Sequence, residues 1–110
     1  MSSGTQLVNM SNDIKVTILG DSMSPTFKNG DKLILEELID QKISPGDIIL
    51  FYHPYISKKK LVKRVKNITV NGNVFIEGDN KKSSSDSRSF GYINKQSIIA
   101  LAKGIHVKSI

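Results

Sequence analysis

Ser22 is the first residue whose surroundings suggest chemistry, because it stands in a segment typical of a tight turn, Gly20-Asp21-Ser22-Met23-Ser24-Pro25-Thr26. The segment follows a predicted strand, and a turn at the end of a strand can present a hydroxyl as a nucleophile. Histidine is the usual base for such a serine, yet neither His53 nor His106 lies in a triad or metal-ligand pattern. From this segment alone, ordinary turn chemistry is the simpler interpretation.

Lys63 is the second candidate, because a neutral lysine amine can also act as the base for a serine. In an extended strand Leu61, Lys63 and Val65 point to the same side, so the amine has apolar neighbours on its own face. Desolvation there disfavours the charged form and lowers the pKa. A fall of roughly 3 units from ~10.4, or about 4 kcal/mol, would make the amine a base near neutral pH. The alternative is that Lys63 extends along the apolar surface to solvent.

A third segment, from Gly78 to Gly91, is polar although it follows a strand that is predicted to be buried. Asp79 and Asp86 are both placed to form charge-assisted hydrogen bonds with Arg88, which would fix the loop with its serine hydroxyls pointing inward. A solvated, serine-rich loop is the simpler interpretation of this segment when it is considered by itself.

The elements that must position these residues are mostly short segments with an apolar period of two, bounded by Gly, Asn, Asp and Pro, which predicts a mainly β fold. Asn71-Gly72-Asn73 predicts a hairpin, Ile98–Ala102 fits either a strand or a short helix, and Glu36–Lys42 is expected to form one helical turn. The predicted strands carry Val16 with Ile18, Leu33 with Leu35, Ile48–Tyr52, Leu61–Val70 and Val74–Glu77.

The length of 110 residues predicts one compact antiparallel β domain with short helical turns. We expect this domain to cover residues 14–104, with a flexible N-terminal tail at 1–13 and a C-terminal tail at 105–110. The chain has no cysteine, which excludes disulfides and a thiolate nucleophile. It shows no secretory signal and no apolar run of the roughly 20 residues that a membrane span needs, so we expect a cytoplasmic protein.

The positive charge is concentrated in the second half of the chain. Residues 1–57 carry four basic and seven acidic residues (net −3), whereas residues 58–110 carry twelve and three (net +9). Six of the nine residues from Lys58 to Lys66 are basic, a pattern that fits either a phosphate-binding patch or a solvated hairpin tip. Because only seven aromatic residues are available to stack on bases, we expect no nucleic-acid partner.

Taken together and in this order, the three segments resemble type I signal peptidases and their soluble relatives, serine–lysine peptidases with a largely β fold. The similarity covers roughly residues 15–103. The Ser22 segment is similar to the nucleophile box of that family, Lys63-Arg64 to its general-base box, and the segment from Gly78 to Gly91 to its third conserved box.

The resemblance implies a role for each site residue. Ser22 would be the nucleophile and Lys63 the base, Ser84 would hydrogen-bond the Lys63 amine, and Asp86 and Arg88 would hold that loop. No metal and no cofactor is required.

The resemblance also assigns oxyanion or substrate binding to Gly20, Asp21, Met23 and Pro25, with Met23 lining a pocket for a small side chain that precedes the cut. The Ser22 backbone N–H would hold the oxyanion together with a second donor. Many bacterial signal peptidases have a serine hydroxyl two residues before the nucleophile, where this chain has Gly20, so the second donor is unassigned.

The implied function is removal of a short N-terminal leader from a precursor protein by acyl transfer. No membrane anchor and no second β domain is evident. In its small size and lack of an evident anchor, the chain most resembles the nickel-type superoxide dismutase maturation proteases. The predicted partner is therefore the precursor of nickel superoxide dismutase. Signal peptidase I acting on secretory precursors is the first alternative.

Two further alternatives come from other classes. A self-cleaving repressor-type peptidase is less favoured, because only 21 residues precede Ser22 and they contain no Ala-Gly or Cys-Gly dipeptide. The last alternative is a catalytically idle β module that binds a partner through its basic half.

Overall fold

A single antiparallel sheet forms the protein in the computed structural model, which describes residues 13–102 and the backbone of 108–109. This confirms the mainly β prediction. No helix within the described residues is long and apolar enough to cross a bilayer. The strands are β1 (Asp13–Thr17), β2 (Lys32–Glu37), β3 (Ile48–Tyr52), β4 (Lys60–Ile68), β5 (Asn73–Glu77), β6 (Ile93–Asn94), β7 (Ile98–Ala102) and β8 (Lys108–Ser109); one helical turn, α1, spans Ser87–Phe90, and 3-10 turns span Lys81–Ser83 and Lys95–Ser97.

The strand order is β1-β2-β7-β3-β4-β5-β6, and β8 pairs with β2. β6 ends the sheet on one side, and two further stretches of backbone keep an open edge among the described residues. β1 pairs with β2 only. β4 pairs with β3 over Lys60–Arg64, but its pairing with β5 starts at Arg64, so the first residues of β4 have a neighbour on one side alone. These two edges matter for the candidate site.

Strand β3 runs through the middle of the core, and its alternate side chains enter different clusters. Ile49 and Phe51 pack with β4, β5 and β7, whereas Ile48 and Leu50 pack on the other side against residues of β2. All four are at most 5% exposed. The prediction that Ile48–Tyr52 is a strand covered on both faces is confirmed for these four residues.

The β4–β5 hairpin forms around Asn71-Gly72 as predicted, with Gly72 at φ 85°, a conformation that favours glycine. The ambiguous segment Ile98–Ala102 is a strand, β7, which lies between β2 and β3. Both elements contribute to the core cluster that contains Ile49 and Phe51, through Val74 and Ile76 of β5 and through Ile98 and Leu101 of β7.

The helical turn expected over Glu36–Lys42 is wrong. Glu36 and Glu37 continue β2 and pair with residues of β7, and the Leu38 N–H donates to the Ile99 carbonyl at 2.9 Å. The Gln41 side chain then accepts from the backbone of the following turn, at 2.7 Å from the Ile39 N–H. The backbone N–H groups that a helical turn would have used therefore donate to β7 and to the Gln41 side chain instead.

The predicted tails fall largely outside the described residues. The N-terminal tail was expected over residues 1–13, of which Asp13 is the first residue of β1. Within the predicted C-terminal tail at 105–110, Lys108 and Ser109 form β8 and pair with β2.

Candidate active site

Ser22 and Lys63, which lie 41 positions apart in the chain, line the same cavity, of about 320 Å³. The cavity also has Met23 in its wall. Its remaining walls come from the end of β1 and the two residues after it, from one residue of β3 and from the open stretch of β4. They are formed by Val16, Thr17, Ile18, Leu19, Leu50, Lys60, Leu61 and Val62.

The turn that carries Ser22 is anchored on both sides. Met23 is 1% exposed and Phe27 is 7% exposed, and the Phe27 N–H donates to the Met23 carbonyl at 2.9 Å. On the other side, Gly20 has φ 85°, and its N–H donates to Asn29 Oδ1 at 2.7 Å. Asp21 and Pro25 are exposed. Ser22 therefore lies between the buried Met23 on one side and the hydrogen bond from Gly20 to Asn29 on the other.

Lys63 is buried, with 3% of its surface exposed. Its neighbours Leu61 and Val65 both pack with the core cluster that contains Ile49 and Phe51. Its partner in the β3–β4 register is Ile49 of that cluster. Its amine Nζ donates to Ser84 Oγ at 3.0 Å. The alternative in which Lys63 extends to solvent is thus wrong.

Burial lowers the pKa of the Lys63 amine below its ordinary value of 10.5, because a charged amine loses hydration in this environment. The negative charge of Asp86 opposes this shift, whereas the positive charges of Arg88 and Lys59 add to it. The net direction is downward, so this amine loses its proton more readily than that of a solvent-exposed lysine.

Asp86 is the acceptor around which the third segment is organised. Its carboxylate, 1% exposed, accepts from Ser84 Oγ at 2.6 Å, from the Gly78 N–H at 2.8 Å and from Arg88 at 2.9 Å. Burial alone would raise the pKa of Asp86, but the hydrogen bonds from Arg88, Ser84 and the backbone together hold the pKa well below 3.8. The neighbouring Ser83 and Ser85 are exposed, so Ser84 is the serine that contacts the amine.

Asp79 pairs with Arg64, and the hypothesis that it pairs with Arg88 is wrong. Arg64 Nε and Nη2 donate to the two Asp79 oxygens at 2.9 and 2.8 Å, and Arg64 Nη1 donates to the Gly46 carbonyl at 2.9 Å. Thr26 Oγ1 also donates to Asp79, at 2.6 Å. Burial would raise the pKa of Asp79, but the hydrogen bonds from Arg64 and Thr26 lower it overall.

Sequence reasoning gave no role to Arg64, Thr26 or Asn80, which join the three segments. The Asn80 N–H donates to the Ser22 carbonyl at 2.8 Å, and its side chain donates to the Asp21 carbonyl at 3.1 Å. The only available signal was that Arg64 directly follows Lys63 on a strand and so points to the opposite face.

Gly78 lies where the three segments approach most closely. A Cβ at this position would lie 2.6 Å from the Ser22 carbonyl oxygen and 2.7 Å from Ser84 Cβ, and it would also clash with Ser84 Oγ. Only a residue without a side chain allows the Ser22 turn and the Ser84 loop to meet here.

His53 is part of a loop. Its Nδ1 accepts from the backbone N–H groups of Tyr55 and Ile56 at 3.0 and 3.1 Å, and its ring lies 4.9 Å from that of Phe90. It does not line the cavity. His106 lies outside the described residues.

Comparison with known proteins agrees with the geometry. The chain matches the family described as "Signal peptidase, peptidase S26" over residues 7–69 and 66–107.

Three relatives illustrate the similarity. A probable signal peptidase I-1 of Synechocystis sp. is 28% identical over 77% of this chain and 66% of its own length. Mitochondrial inner membrane protease subunit 1 of Homo sapiens is 34% identical over 67% of this chain and 57% of its own length. Mitochondrial ATP-independent inner membrane protease subunit 1a of Arabidopsis thaliana is 31% identical over 66% of this chain and 57% of its own length. The chain thus spans about three fifths of the length of these relatives.

Replacing Gly78 with alanine should destabilise the protein by about 1–3 kcal/mol, because the backbone of the Ser22 turn must move to admit the Cβ. Denaturant unfolding of the wild type and of Gly78→Ala would measure this. Ser83→Ala, at an exposed position of the same loop, is the control. A Gly78→Ala variant as stable as the control would show that the close approach is not needed.

Asp86→Asn should lower the free energy of unfolding at neutral pH by roughly 2–3 kcal/mol, because it removes a buried acceptor of several charge-assisted bonds. Since folding lowers the pKa of Asp86, its stabilising effect is present above the unfolded value of 3.8 and is lost as the pH falls below it. The difference between wild type and Asp86→Asn should therefore shrink in acid. Ser85→Ala, which removes no titrating group, should follow the wild type at every pH.

Proposed function

This chain belongs to the signal peptidase family, peptidase S26, and from that membership we propose that it is a serine endopeptidase with Ser22 as nucleophile and Lys63 as general base. The observation that carries the proposal is a buried lysine amine with a lowered pKa that lines one cavity with a serine. A base of this kind needs no histidine, and His53 is engaged elsewhere.

Hydrogen bonding around Ser84 orients the Lys63 amine. The Ser84 hydroxyl has one proton, which it donates to the ionised Asp86 at 2.6 Å, so towards Lys63 it can only accept. Lys63 Nζ therefore donates an N–H to Ser84 Oγ, and the lone pair of the neutral amine stays available to accept another proton. We assign that proton to the hydroxyl of Ser22.

The reaction follows from these roles. Ser22 Oγ attacks the carbonyl carbon of the scissile peptide bond while Lys63 Nζ takes the hydroxyl proton. The C–N bond breaks as Lys63 gives that proton to the leaving amine. A water then attacks the acyl ester, Lys63 accepts a proton from the water, and the proton passes to Ser22 Oγ as the carboxyl product leaves.

Oxyanion stabilisation is assigned to the Ser22 backbone N–H. Gly20 is not proposed as the second donor, because its N–H already donates to Asn29 and it has no hydroxyl.

The substrate is proposed to bind as an added strand. The cavity lies between the end of β1 and the first residues of β4, and both have an open edge among the described residues. An extended peptide can pair with such edges through its main chain and place alternate side chains in the cavity. We assign Met23 to the pocket for the side chain directly before the cut.

The substrate that we propose first is a precursor protein with a short N-terminal leader, the precursor of nickel superoxide dismutase, processed in the cytoplasm. Secretory precursors are the second candidate, since the relatives include a probable signal peptidase I. Self-cleavage of a repressor type is the least favoured.

Ser22→Ala and Lys63→Met should each reduce cleavage of the correct precursor by about 10³-fold or more, because each removes one partner of the proton transfer. Mass spectrometry of both candidate precursors after incubation would identify the substrate and the cut. Ser24→Ala is the control, since it removes a hydroxyl from the same turn. Full activity in Ser22→Ala would exclude this mechanism.

The rate should rise with pH as Lys63 loses its proton, with an apparent pKa for kcat/KM below 10.5. Because Lys59 lowers the pKa of Lys63, Lys59→Gln should move the rising limb towards higher pH. Lys58→Gln, in the same exposed loop, is the control for a general effect of charge. A limb that does not move in Lys59→Gln would contradict the assignment of Lys63 as the titrating base.

A further inference from the structure

Lys60 lines the cavity three residues before the base on β4 and has no carboxylate partner within residues 13–102. It is the first residue of β4, it is exposed, and its side chain contributes to the cavity wall. Its Nζ lies 5.8 Å from the centroid of the Tyr52 ring, its neighbour in the β3–β4 register. The two ion pairs of the described residues are Arg64–Asp79 and Arg88–Asp86, and neither involves Lys60.

The surroundings of Lys60 are positive. The loop from β3 to β4, residues 53–59, contains Lys58 and Lys59 but no aspartate or glutamate. Within this loop, the charge of Lys59 also contributes to the lowered pKa of Lys63. Asp79 and Asp86, the acidic residues near the base, are already bound to arginines. An anionic group that enters the cavity is therefore attracted to the Lys60 end.

The spacing of the cavity wall fixes which substrate residue meets Lys60. Lys60 and Val62 point to the same side of β4, and residues two apart on a strand are separated by roughly 6.6 Å. A substrate strand along this edge presents alternate side chains with the same spacing. If the residue directly before the cut lies beside Met23 and Val62, the residues that precede it must run towards Lys60, parallel to β4, because β5 closes the edge of β4 from Arg64 onwards. The residue two positions earlier then lies beside Lys60.

We propose that Lys60 makes the site selective for substrates with aspartate or glutamate as the third residue before the scissile bond. This inference rests on the proposed peptidase function and on strand-like binding of the substrate. The selectivity is modest, since Lys60 is exposed and a solvated ion pair contributes about 0.2–1 kcal/mol. Attraction of an acidic residue combined with repulsion of a basic one should give about a five-fold preference.

The test uses the full chain and a pool of randomised peptides with one fixed alanine, and cleaved sequences are read by tandem mass spectrometry. Acidic residues should be enriched about five-fold over basic ones at the third position before the cut, and less so in 0.5 M salt. Lys60→Glu should reverse the preference. Lys58→Glu, which changes the net charge equally in the same loop, should keep it. No enrichment at that position, or enrichment that persists in Lys60→Glu, would overturn the proposal.

Binding separates this proposal from the proposed function. Two fluorescent peptides with glutamate or lysine at the third position before alanine are titrated onto the Ser22→Ala variant and onto Ser22→Ala/Lys60→Glu. Tighter binding of the glutamate peptide to Ser22→Ala, reversed in the double variant, supports the proposed selectivity. If the wild type then cleaves neither peptide, the proposed peptidase function is wrong while the selectivity of binding stands. Equal affinities would overturn the selectivity whether or not the wild type cleaves peptides.

Discussion

The desolvation of a single amine is the constraint on which the candidate site depends. Lys63 contacts a serine hydroxyl, and the nearest negative charge, Asp86, lies one hydrogen bond further away. A carboxylate in direct contact would keep the amine protonated, whereas a hydroxyl orients the amine without adding charge. Arg88 bonds to the same carboxylate and opposes its effect on Lys63. Ser84 thus links the amine to a rigid anchor, and burial remains the dominant influence on its pKa.

That arrangement requires three distant parts of the chain to meet closely. Asp79 binds Thr26 of the Ser22 turn and Arg64 of β4, and Asn80 binds the Ser22 carbonyl. The Arg64–Asp79 pair is bidentate and its side chains are 17% and 16% exposed, so it is both stronger and more directional than a surface ion pair. The geometry of the serine relative to the lysine is therefore set by a loop that contains neither residue.

Local patterns predicted most of the strands and gave the burial of Lys63 as one of two interpretations, because alternation along one strand reports which side chains face an apolar environment. The same patterns failed where a distant partner decides the outcome. Glu36 and Glu37 look like the start of a helical turn, but β7, more than 60 residues later, pairs with them. Asp79 is closer in sequence to Arg88, yet Arg64 on the neighbouring strand reaches it first. The cavity wall from β1 likewise depends on how strands far apart in the chain are arranged.

The open edges of β1 and β4 carry a risk, because an unpaired edge can pair with another molecule. The charges along these edges reduce that risk. On β1, Asp13 and Lys15 are exposed, and β4 begins with the exposed Lys60 beside two further lysines. A charged edge rejects a flat, apolar strand more strongly than one with a complementary charge. The feature that limits self-association is thus also the feature that would give an added peptide strand its selectivity.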